Sequence, residues 1–474
     1  MKLSDLDRFM RGRRVSVIGL GVSNVPLIEF LRRHGAVITA RDKKTAEQLG
    51  ETYEKLDALG VRFVLGDGYL DNIYDELIFR SPGLRPDVPQ LSEAAARGAA
   101  ISSEMELFFD LCPCRIIGIT GSDGKTTTTT VTSLILKKQA ELDGSGRKIW
   151  LGGNIGTPLI QYVEQIDPDD ICVVELSSFQ LFTMKTSPQT AAVTNVTPNH
   201  LNWHTDMDEY IAAKANIFAH QSADGRVVLN YENDVTRSYA ESARGRVCFF
   251  SSKRTPPDGD AVYEEDGAIY LRSNGAAEKI INTSDIILPG RHNVENYMTA
   301  IGLTAGLVSA QAVYDIASTF PGVEHRLEFV RELDGVKYYN GSIDSSPTRT
   351  VAALSCFSAP VVVILGGYDK NLDYEPLCRP LFEHTHTAVL TGQNAGKILK
   401  ALADHGIPGS FRIVTEPDFE KAVYAAKEAA RPGDVLILSP AAASFDRFKN
   451  FEERGKTYKN IVNGFKIDID NSEL

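Results

Sequence analysis

The chain has 474 residues, 43% apolar and 24% charged, a soluble globular mix with enough length for about three domains. Lysine and arginine total 50 against 62 aspartates and glutamates, a formal net charge of −12. That balance excludes a bulk basic footprint for nucleic acid and adhesion to a membrane by overall charge, so an anionic ligand needs local features to hold it.

The opening segment MKLSDLDRFMRGRR is charged at short intervals and has no apolar core of a secretory signal. Apolar runs such as Pro360–Gly367 and Val435–Ala443 fall far short of the about 18 residues of a membrane span, so a cytoplasmic protein is expected. Val15–Ile18 reads as a buried strand entering Gly19-Leu20-Gly21, with a helical pattern over 24–34, Gly35 past its end, and a second strand from Val37 to Asp42. Further alternation carries this block to about residue 104. A second block holds strands at Arg115–Ile119, Ile171–Leu176 and Ala191–Asn195, then a hairpin signal at Asp266-Gly267 that predicts an antiparallel edge. A third block, from about residue 323, has strands at Val361–Leu365, Thr387–Thr391 and Val435–Ser439. Strands that are apolar throughout and alternate with helices predict doubly wound α/β sheets, with ligands beyond the strands' carboxyl ends. The expected domains are 1–104, 105–322 and 323–474.

Ile116–Ile119 runs into Thr120-Gly121-Ser122-Asp123-Gly124-Lys125-Thr126-Thr127. A strand, a glycine turn, a lysine and a helix start are the parts of a phosphate-binding loop, with the Thr126 hydroxyl placed for Mg²⁺. The strict G-x-x-x-x-G-K-[ST] pattern fails, because Ile119 stands five residues before Gly124. Thr126–Thr130 is poor helix material, which makes sense if hydroxyls and N–H groups serve a ligand. Gly19–Asn24 resembles a dinucleotide fingerprint, but Asn24 replaces the third glycine. Another nucleotide's diphosphate, or no ligand, remains open there, and Asp42 is placed to meet a ribose or base edge. Glu175 ends a strand beside the loop, where a carboxylate completes a Mg²⁺ shell, and His200 follows another strand end. His204 reads as structural or exposed. Lys214 by itself reads as a solvated helix lysine. Cys112 and Cys114 have no second pair at zinc spacing and read as two ordinary thiols.

These residues together resemble the Mur ligase family, and within it the D-glutamate-adding branch. The resemblance spans the chain through Gly19–Ser23, Ser81-Pro82-Gly83, the Thr120–Thr127 loop, Gly153-Asn154-Ile155-Gly156, Glu175–Leu181, Asn195–His200, Gly290–Asn296, Glu324-His325-Arg326, Gly366–Lys370 and Leu438–Gly455. It implies a Rossmann-like first domain, a central P-loop ATPase-like domain with a mostly parallel sheet, and a Rossmann-like doubly wound third domain. It implies an ATP-dependent ligase that adds D-glutamate to UDP-N-acetylmuramoyl-L-alanine through an acyl phosphate, in peptidoglycan precursor synthesis. Gly21, Val22, Ser23, Asp42 and Ser81 would then line the UDP end, and Asn154, Ser177 and Gln180 the muramoyl-alanine portion. Gly121, Ser122, Asp123, Gly124, Lys125, Thr126 and Thr127 would hold ATP phosphates, with Asn293 and Arg326 on the adenine nucleotide. Thr126 and Glu175 would share one Mg²⁺, and His200 with a carbamylated Lys214 a second. Ser345, Lys370, Ser444, Phe445 and Phe451 would form the D-glutamate pocket. No nucleic-acid or membrane partner is implied, and a monomer is expected.

The chain departs from the family where members commonly read Asn-Asp-Ser-Lys-Ala-Thr-Asn. Here the segment is Asn340-Gly341-Ser342-Ile343-Asp344-Ser345-Ser346. The aspartate that binds the ATP ribose in the family is Gly341 and the usual lysine is Ile343, while Asp344 brings a carboxylate nearby. Asp123 stands where Asn is common and Ala442 where Cys is frequent. Another ligase of the same superfamily is one alternative reading, and Gly341 and Ile343 motivate a second, a weakly catalytic UDP-substrate-binding protein.

Overall fold

In the computed structural model, which describes residues 3–466, the apolar run Arg14–Ile18 is strand β1 at the centre of a five-stranded parallel sheet. Its partners are β2 (Val37–Asp42), β3 (Arg62–Leu65), β4 (Leu77–Arg80) and β5 (Ala100–Ser102), in the order β3-β2-β1-β4-β5. Helix α1 (Asn24–Arg33) returns across the sheet and buries Leu27, Ile28, Phe30 and Leu31 in one core with Val15 and Val17. Gly35 takes φ +83 directly after the helix, a conformation that glycine adopts without strain. Strand order reverses between β1 and β4, so the glycine turn after β1 and Ser81 after β4 open on the same crevice.

A helix α2 (Glu104–Leu111), capped by the Ser103 hydroxyl, leads into the second sheet. Its nine strands are β6 (Arg115–Thr120), β7 (Ile149–Gly153), β8 (Ile171–Glu175), β9 (Thr190–Val193), β10 (Arg226–Asn230), β11 (Arg246–Ser251), β12 (Asp260–Glu265), β13 (Ala268–Ser273) and β14 (Ala276–Asn282). The order is β14-β13-β12-β11-β10-β9-β6-β8-β7, parallel from β7 to β12 and antiparallel for the last three. The expected hairpin is present: Asp266 and Gly267 both have positive φ, as a tight two-residue turn requires. Strand β14 adds an edge that the sequence pattern did not disclose, because its first four residues are exposed and carry no alternation. Helices α3 (Lys125–Leu142), α4 (Ser178–Leu181) and α5 (Met207–Ala219) follow β6, β8 and β9, and α6 (Arg291–Thr304) follows the antiparallel edge. The first two sheets belong to one compact unit, residues up to 285 with 294–316.

The second unit, residues 286–293 and 317 onward, is built on the third sheet. Strands β15 (Glu328–Leu333), β16 (Val336–Asn340), β17 (Val361–Leu365), β18 (Thr385–Leu390), β19 (Arg412–Thr415) and β20 (Val435–Leu438) lie in the order β15-β16-β20-β17-β18-β19, parallel except for β15 against β16. Strands β17 and β20 are fully buried, with one apolar core on each face of the sheet, as a doubly wound architecture demands. Helix α7 (Phe451–Gly464) closes one face with Tyr458 and Val462. Among the described residues no helix is long and apolar enough to cross a membrane.

One buried acid gives a stability prediction. Glu104, at the start of α2, is 4% exposed, and its Oε1 has no hydrogen-bond partner. Burial pushes its carboxyl up to about 7, partly offset by the Ile160 N–H. The folded chain therefore holds this proton when the unfolded chain has released it, so the group's contribution falls as pH rises from about 4.5 to about 7. The difference corresponds to roughly 3 kcal/mol above that window. Glu104→Gln is expected to raise the unfolding temperature at pH 8 and to flatten its pH dependence between 5 and 8, measured by thermal melts across pH. An unchanged or lower melting temperature at pH 8 would refute the burial penalty.

Candidate active site

The loop after β6 is shaped by what stands behind it. Gly121 has φ +153, and a Cβ there would lie 1.9 Å from Thr194 Oγ1, so only glycine fits. Gly124 has φ +78, and a Cβ there would meet Asn296 Oδ1 of α6 at 2.6 Å. Asn195, just past β9, accepts from the N–H groups of Ser122 and Asp123 through Oδ1, at 3.1 and 2.9 Å. The Ser122 hydroxyl donates to Thr197 O at 3.0 Å and lies 2.9 Å from the Tyr210 hydroxyl. The loop is thus held from β9 and α5. Gly124 then caps α3 without any side-chain hydrogen bond, so the first N–H groups of an 18-residue helix face outward. Those donors and the helix dipole make an anion site. Lys125 Nζ lies 2.9 Å from Gly121 O and 2.9 Å from Ser122 O, folded over the loop it would neutralise.

The threonine run serves the helix more than a ligand. The hydroxyls of Thr129, Thr130 and Thr132 donate to the carbonyls of Lys125, Thr126 and Thr128 at 2.8, 2.8 and 2.7 Å. Thr128 donates to Asn296 Oδ1 at 3.1 Å. The hydroxyls of Thr129 and Thr130 are thus spent on the preceding turn and that of Thr128 on Asn296, rather than facing a ligand.

Glu175 closes β8 at 1% exposure. Its Oε1 accepts from Asn154 Nδ2 at 2.9 Å, and its Oε2 is buried without a hydrogen-bond partner. A buried carboxylate oxygen left over beside a phosphate loop suits a hard cation. Lys214, on α5, is 1% exposed, which overturns the solvated reading. The signal was its i+4 spacing from Tyr210, whose ring lies 4.6 Å from the ammonium. Lys214 Nζ donates to Gly121 O at 2.7 Å. Burial, then the charge of Lys125, push its amine well below the usual lysine range, against the opposing pull of Asp123 and Glu175. His200 sits in the left-handed region at φ +56, uncommon for a non-glycine residue, with its ring against Phe179. Burial first, then Lys125 and Lys214, lower its pKa, which favours the neutral imidazole that can bind a metal. His204 is buried between Glu209 (3.2 Å) and Ser178 (3.0 Å), a structural role.

In the first sheet Gly19, at φ +85, brings the turn against Ser81, whose Oγ would stand 2.8 Å from a Cβ at position 19. Asn24 explains the missing glycine: its amide donates to Ile18 O and Gly19 O at 3.0 and 2.9 Å and fills the gap between strand and helix. Asp42 turns inward, accepting from the N–H groups of Leu20 and Lys44 at 2.6 and 2.9 Å, so it shapes the glycine turn directly. Gly21 and Ser23 flank Val22, which is 80% exposed at this turn. Ser177 and Gln180 spend their side chains on a capping box for α4.

Two arginines that sequence reasoning missed join these loops. Arg80 is 1% exposed, donating to Leu84 O and to Thr183 Oγ1 beyond α4, both at 2.9 Å. Arg85 pairs with both carboxylate oxygens of Glu209 at 2.9 Å and donates to Trp203 O at 2.8 Å, while Trp203 Nε1–H donates to Gly83 O. Arg85 holds the Glu209 carboxyl down to about 2. Short-range sequence patterns carry no trace of such cross-sheet pairs.

In the second unit the segment after β16 and the loop after β20 are clamped by Arg454 of α7. Its guanidinium donates to Ser342 Oγ and O and to the carbonyls of Ala442 and Ala443, at 2.8–3.0 Å. Burial lowers this arginine to about 10. Ser444 is buried, while Phe445 is 59% exposed, with Lys370 Nζ 5.5 Å from its ring and Tyr368 edge-on to it. Phe451 begins α7 against His325, and Ser345 lies half-buried on the Gly341–Ser346 segment. Asn293 is buried and donates to Pro289 O at 2.7 Å; Arg326 follows His325, which has φ +67. A Cβ on Gly341 would meet Asp344 Oδ2 at 2.5 Å, so the Asp344 carboxylate occupies the space a side chain at 341 would take. Ser439 Oγ donates to it at 2.8 Å, and burial pushes its carboxyl up to about 7.

The comparisons agree with this arrangement. Residues 13–103 match the Mur ligase MurD-like N-terminal domain, 119–304 the Mur ligase middle domain, and 325–442 the Mur ligase glutamate ligase domain. The chain is 47% identical to the UDP-N-acetylmuramoylalanine--D-glutamate ligase of Acetivibrio thermocellus over 98% of its own length and 99% of the relative's. The relative of the same name from Clostridium novyi is also 47% identical, over 96% and 97%. Among solved structures, a UDP-N-acetylmuramate-alanine ligase from Thermotoga maritima aligns over 96% of this chain and 100% of its own, with TM-score 0.56 and 17% identity. A pseudomurein peptide ligase type C from Methanothermus fervidus aligns over 96% and 100%, with TM-score 0.54 and 15% identity, so these two share the fold. With three Mur ligase domain models matched in succession along the chain and relatives 47% identical over nearly its full length, the chain belongs to the Mur ligase family.

Proposed function

We propose that this Mur ligase is the ATP-dependent enzyme that joins D-glutamate to UDP-N-acetylmuramoyl-L-alanine, in peptidoglycan precursor synthesis. The observation that carries the reading is the uncapped α3 N-terminus under Lys125, flanked by Glu175 and the buried Lys214, in a chain 47% identical to relatives of that name. The proposed division of labour follows domains 1–104, 105–322 and 323–474. Gly21, Val22, Ser23, Asp42 and Ser81 receive the UDP end, and Asn154, Ser177 and Gln180 the muramoyl-alanine. The loop Gly121–Thr127, Asn293 and Arg326 receive ATP. Ser345, Lys370, Ser444, Phe445 and Phe451 receive D-glutamate, where a cation beside an aromatic ring suits an amino-acid carboxylate. The enzyme acts in the cytoplasm as a monomer.

In the reaction the alanine carboxylate attacks the γ-phosphorus, the bond to the β-phosphate oxygen breaks, and ADP leaves. The D-glutamate amine then attacks the acyl phosphate carbon, inorganic phosphate departs, and the amine proton is lost to form the amide. Carboxylate and phosphate anions converge, so the protein's task is chiefly electrostatic. Lys125 and the α3 N–H groups bear on the transferring phosphoryl. Thr126 and Glu175 would hold one Mg²⁺, and His200 with the Lys214 carbamate a second; bound there, the ions would neutralise phosphate charge. The carbamate forms when the neutral Lys214 amine adds to CO₂ and releases a proton, turning a cation into an oxygen ligand.

Phosphate release from ATP with UDP-N-acetylmuramoyl-L-alanine tests the reading. D-glutamate is expected to stimulate it, while L-glutamate, L-lysine and meso-diaminopimelate are not. Stimulation by another amino acid alone would reassign the chain within the family. Gly341 and Ile343 favour a second reading, a weakly catalytic UDP-substrate binder, and tight substrate binding without turnover at saturating ATP would establish it. Asp344 speaks against that reading, since its carboxylate stands beside position 341.

A further inference from the structure

The sequence presents Cys112 and Cys114 as a pair without partners, but the fold supplies a third sulfur. Cys112-Pro113-Cys114 links α2 to β6, and Cys172 is the second residue of β8, in register with Ile116 of β6. The three Sγ atoms form a near-equilateral triangle with sides of 3.6 Å (Cys112 to Cys114), 3.7 Å (Cys112 to Cys172) and 3.5 Å (Cys114 to Cys172). Among the described residues this is the one group of three or more histidine, cysteine or acidic side chains whose ligand atoms converge closely enough to share an ion. The cluster lies at the amino ends of β6 and β8. The six residues of β6, about 20 Å of extended strand, separate it from the phosphate loop. The ligase reaction as derived above does not use it.

We propose that Cys112, Cys114 and Cys172 form a binding site for a thiophilic metal ion of the zinc class, with a solvent molecule as fourth ligand. Thiolates at the usual zinc–sulfur distance of about 2.3 Å stand about 3.8 Å apart in a tetrahedron, close to the triangle seen here. Cys114 and Cys172 are 5% and 0% exposed, while Cys112 is half-buried, so the triangle is anchored in the core and open at one corner. The open corner admits the ion and its fourth ligand. Asp170, two residues before Cys172, does not compete for that place. Its oxygens are taken by the N–H groups of Lys148, Asp167 and the Trp150 indole. Each thiol gives up its proton on ligation, and the bound ion would tie the α2–β6 connection to β8. The site is a brace for the central sheet, on the opposite end from Glu175.

The test uses the full-length protein, reduced and stripped with a chelator, then titrated with Co²⁺ or Zn²⁺. One equivalent of Co²⁺ is expected to produce thiolate-to-metal charge-transfer absorption, which Zn²⁺ displaces. Zn²⁺ is expected to raise the unfolding temperature and to shield Cys112, Cys114 and Cys172 from alkylation, read by peptide mass spectrometry on the unaltered chain. Cys112→Ser, Cys114→Ser and Cys172→Ala should each lose the absorption and the thermal shift, whereas Cys356→Ser keeps both. Absence of the charge-transfer band in the reduced wild type, or its survival in the Cys112→Ser variant, would overturn the proposal. So would formation of a disulfide within the triangle without metal uptake, which would assign the cluster to redox chemistry. The alkylation readout needs no variant, so a folding defect cannot mask the answer.

Discussion

Lys125→Ala is expected to lower turnover by at least about 10²-fold, the usual loss when a preorganised charge contact to a developing transition state is removed. The reasoning starts from the loop. Gly121 and Gly124 are locked by Thr194 and Asn296, and Asn195 fixes the Ser122 and Asp123 amides, so the loop keeps its shape without the lysine. The variant should therefore fold normally and still bind the UDP substrate, whose proposed contacts lie on other loops. What it loses is a cation that lies against two loop carbonyls, over the helix N-terminus where phosphates would sit. Steady-state phosphate release, together with calorimetric binding of the UDP substrate, separates the two effects. Near-normal turnover would remove the loop from the mechanism. Loss of UDP-substrate binding would show that the lysine is holding the fold.

The features that could be read from the chain are local ones. A strand entering a glycine turn and a helix declares itself within about fifteen residues, which is why the Gly19 turn, the Thr120–Thr127 loop and the Asp266-Gly267 hairpin lie where their spacing put them. The sequence hides whatever depends on neighbours from another strand. Lys214 was solvated by its own helix pattern and buried by its neighbours. Cys172 lay fifty-eight residues from Cys114 and touches it, because β6 and β8 are adjacent in the sheet but not in order. Arg80, Arg85 and Arg454 each look like surface charge in one dimension. Each spends its donors on backbone or side-chain groups of a distant loop. The threonine run misled in the other direction. Polar residues at a helix start suggested ligand contact, but the hydroxyls of Thr129 and Thr130 close on the helix's own carbonyls.

Gly341 and Asp344 contend for one space in the structure. A Cβ at 341 would stand 2.5 Å from Asp344 Oδ2, so a side chain there requires the present Asp344 carboxylate to shift. Ser439 and Thr350 complete a hydroxyl chain that holds the carboxylate, and Arg326 and Arg349 pull its pKa down against a larger burial effect. Along the sequence this reads as the loss of an acid at 341, whereas in three dimensions a buried carboxylate stands beside that position.

Lys214 carries the second large effect, and its chemistry and its stability separate cleanly. Lys214→Met keeps the volume of the buried stem but has no amine to carry a carbamate. Turnover is expected to fall by at least about 10²-fold, as for loss of a charge-stabilising contact. The wild type in ¹³C-bicarbonate should show a carbamate carbon resonance that Lys214→Met lacks, and its activity should decline in CO₂-free buffer. The same substitution should stabilise the fold in CO₂-free buffer. Burial and Lys125 lower the folded amine's pKa, so between that value and the unfolded value near 10.5 the unfolded chain binds the extra proton. Wild-type stability consequently rises with pH across that window, and the variant lacks the rise. Thermal melts at pH 7 and pH 9 read this directly: the variant should melt higher at pH 7, with the gap narrowing at pH 9. A Lys214→Met protein with near-normal turnover would remove the carbamate from the site. One that is inactive and melts no higher than wild type at pH 7 would show that the buried amine carries no penalty and that its hydrogen bond to Gly121 O supports the loop.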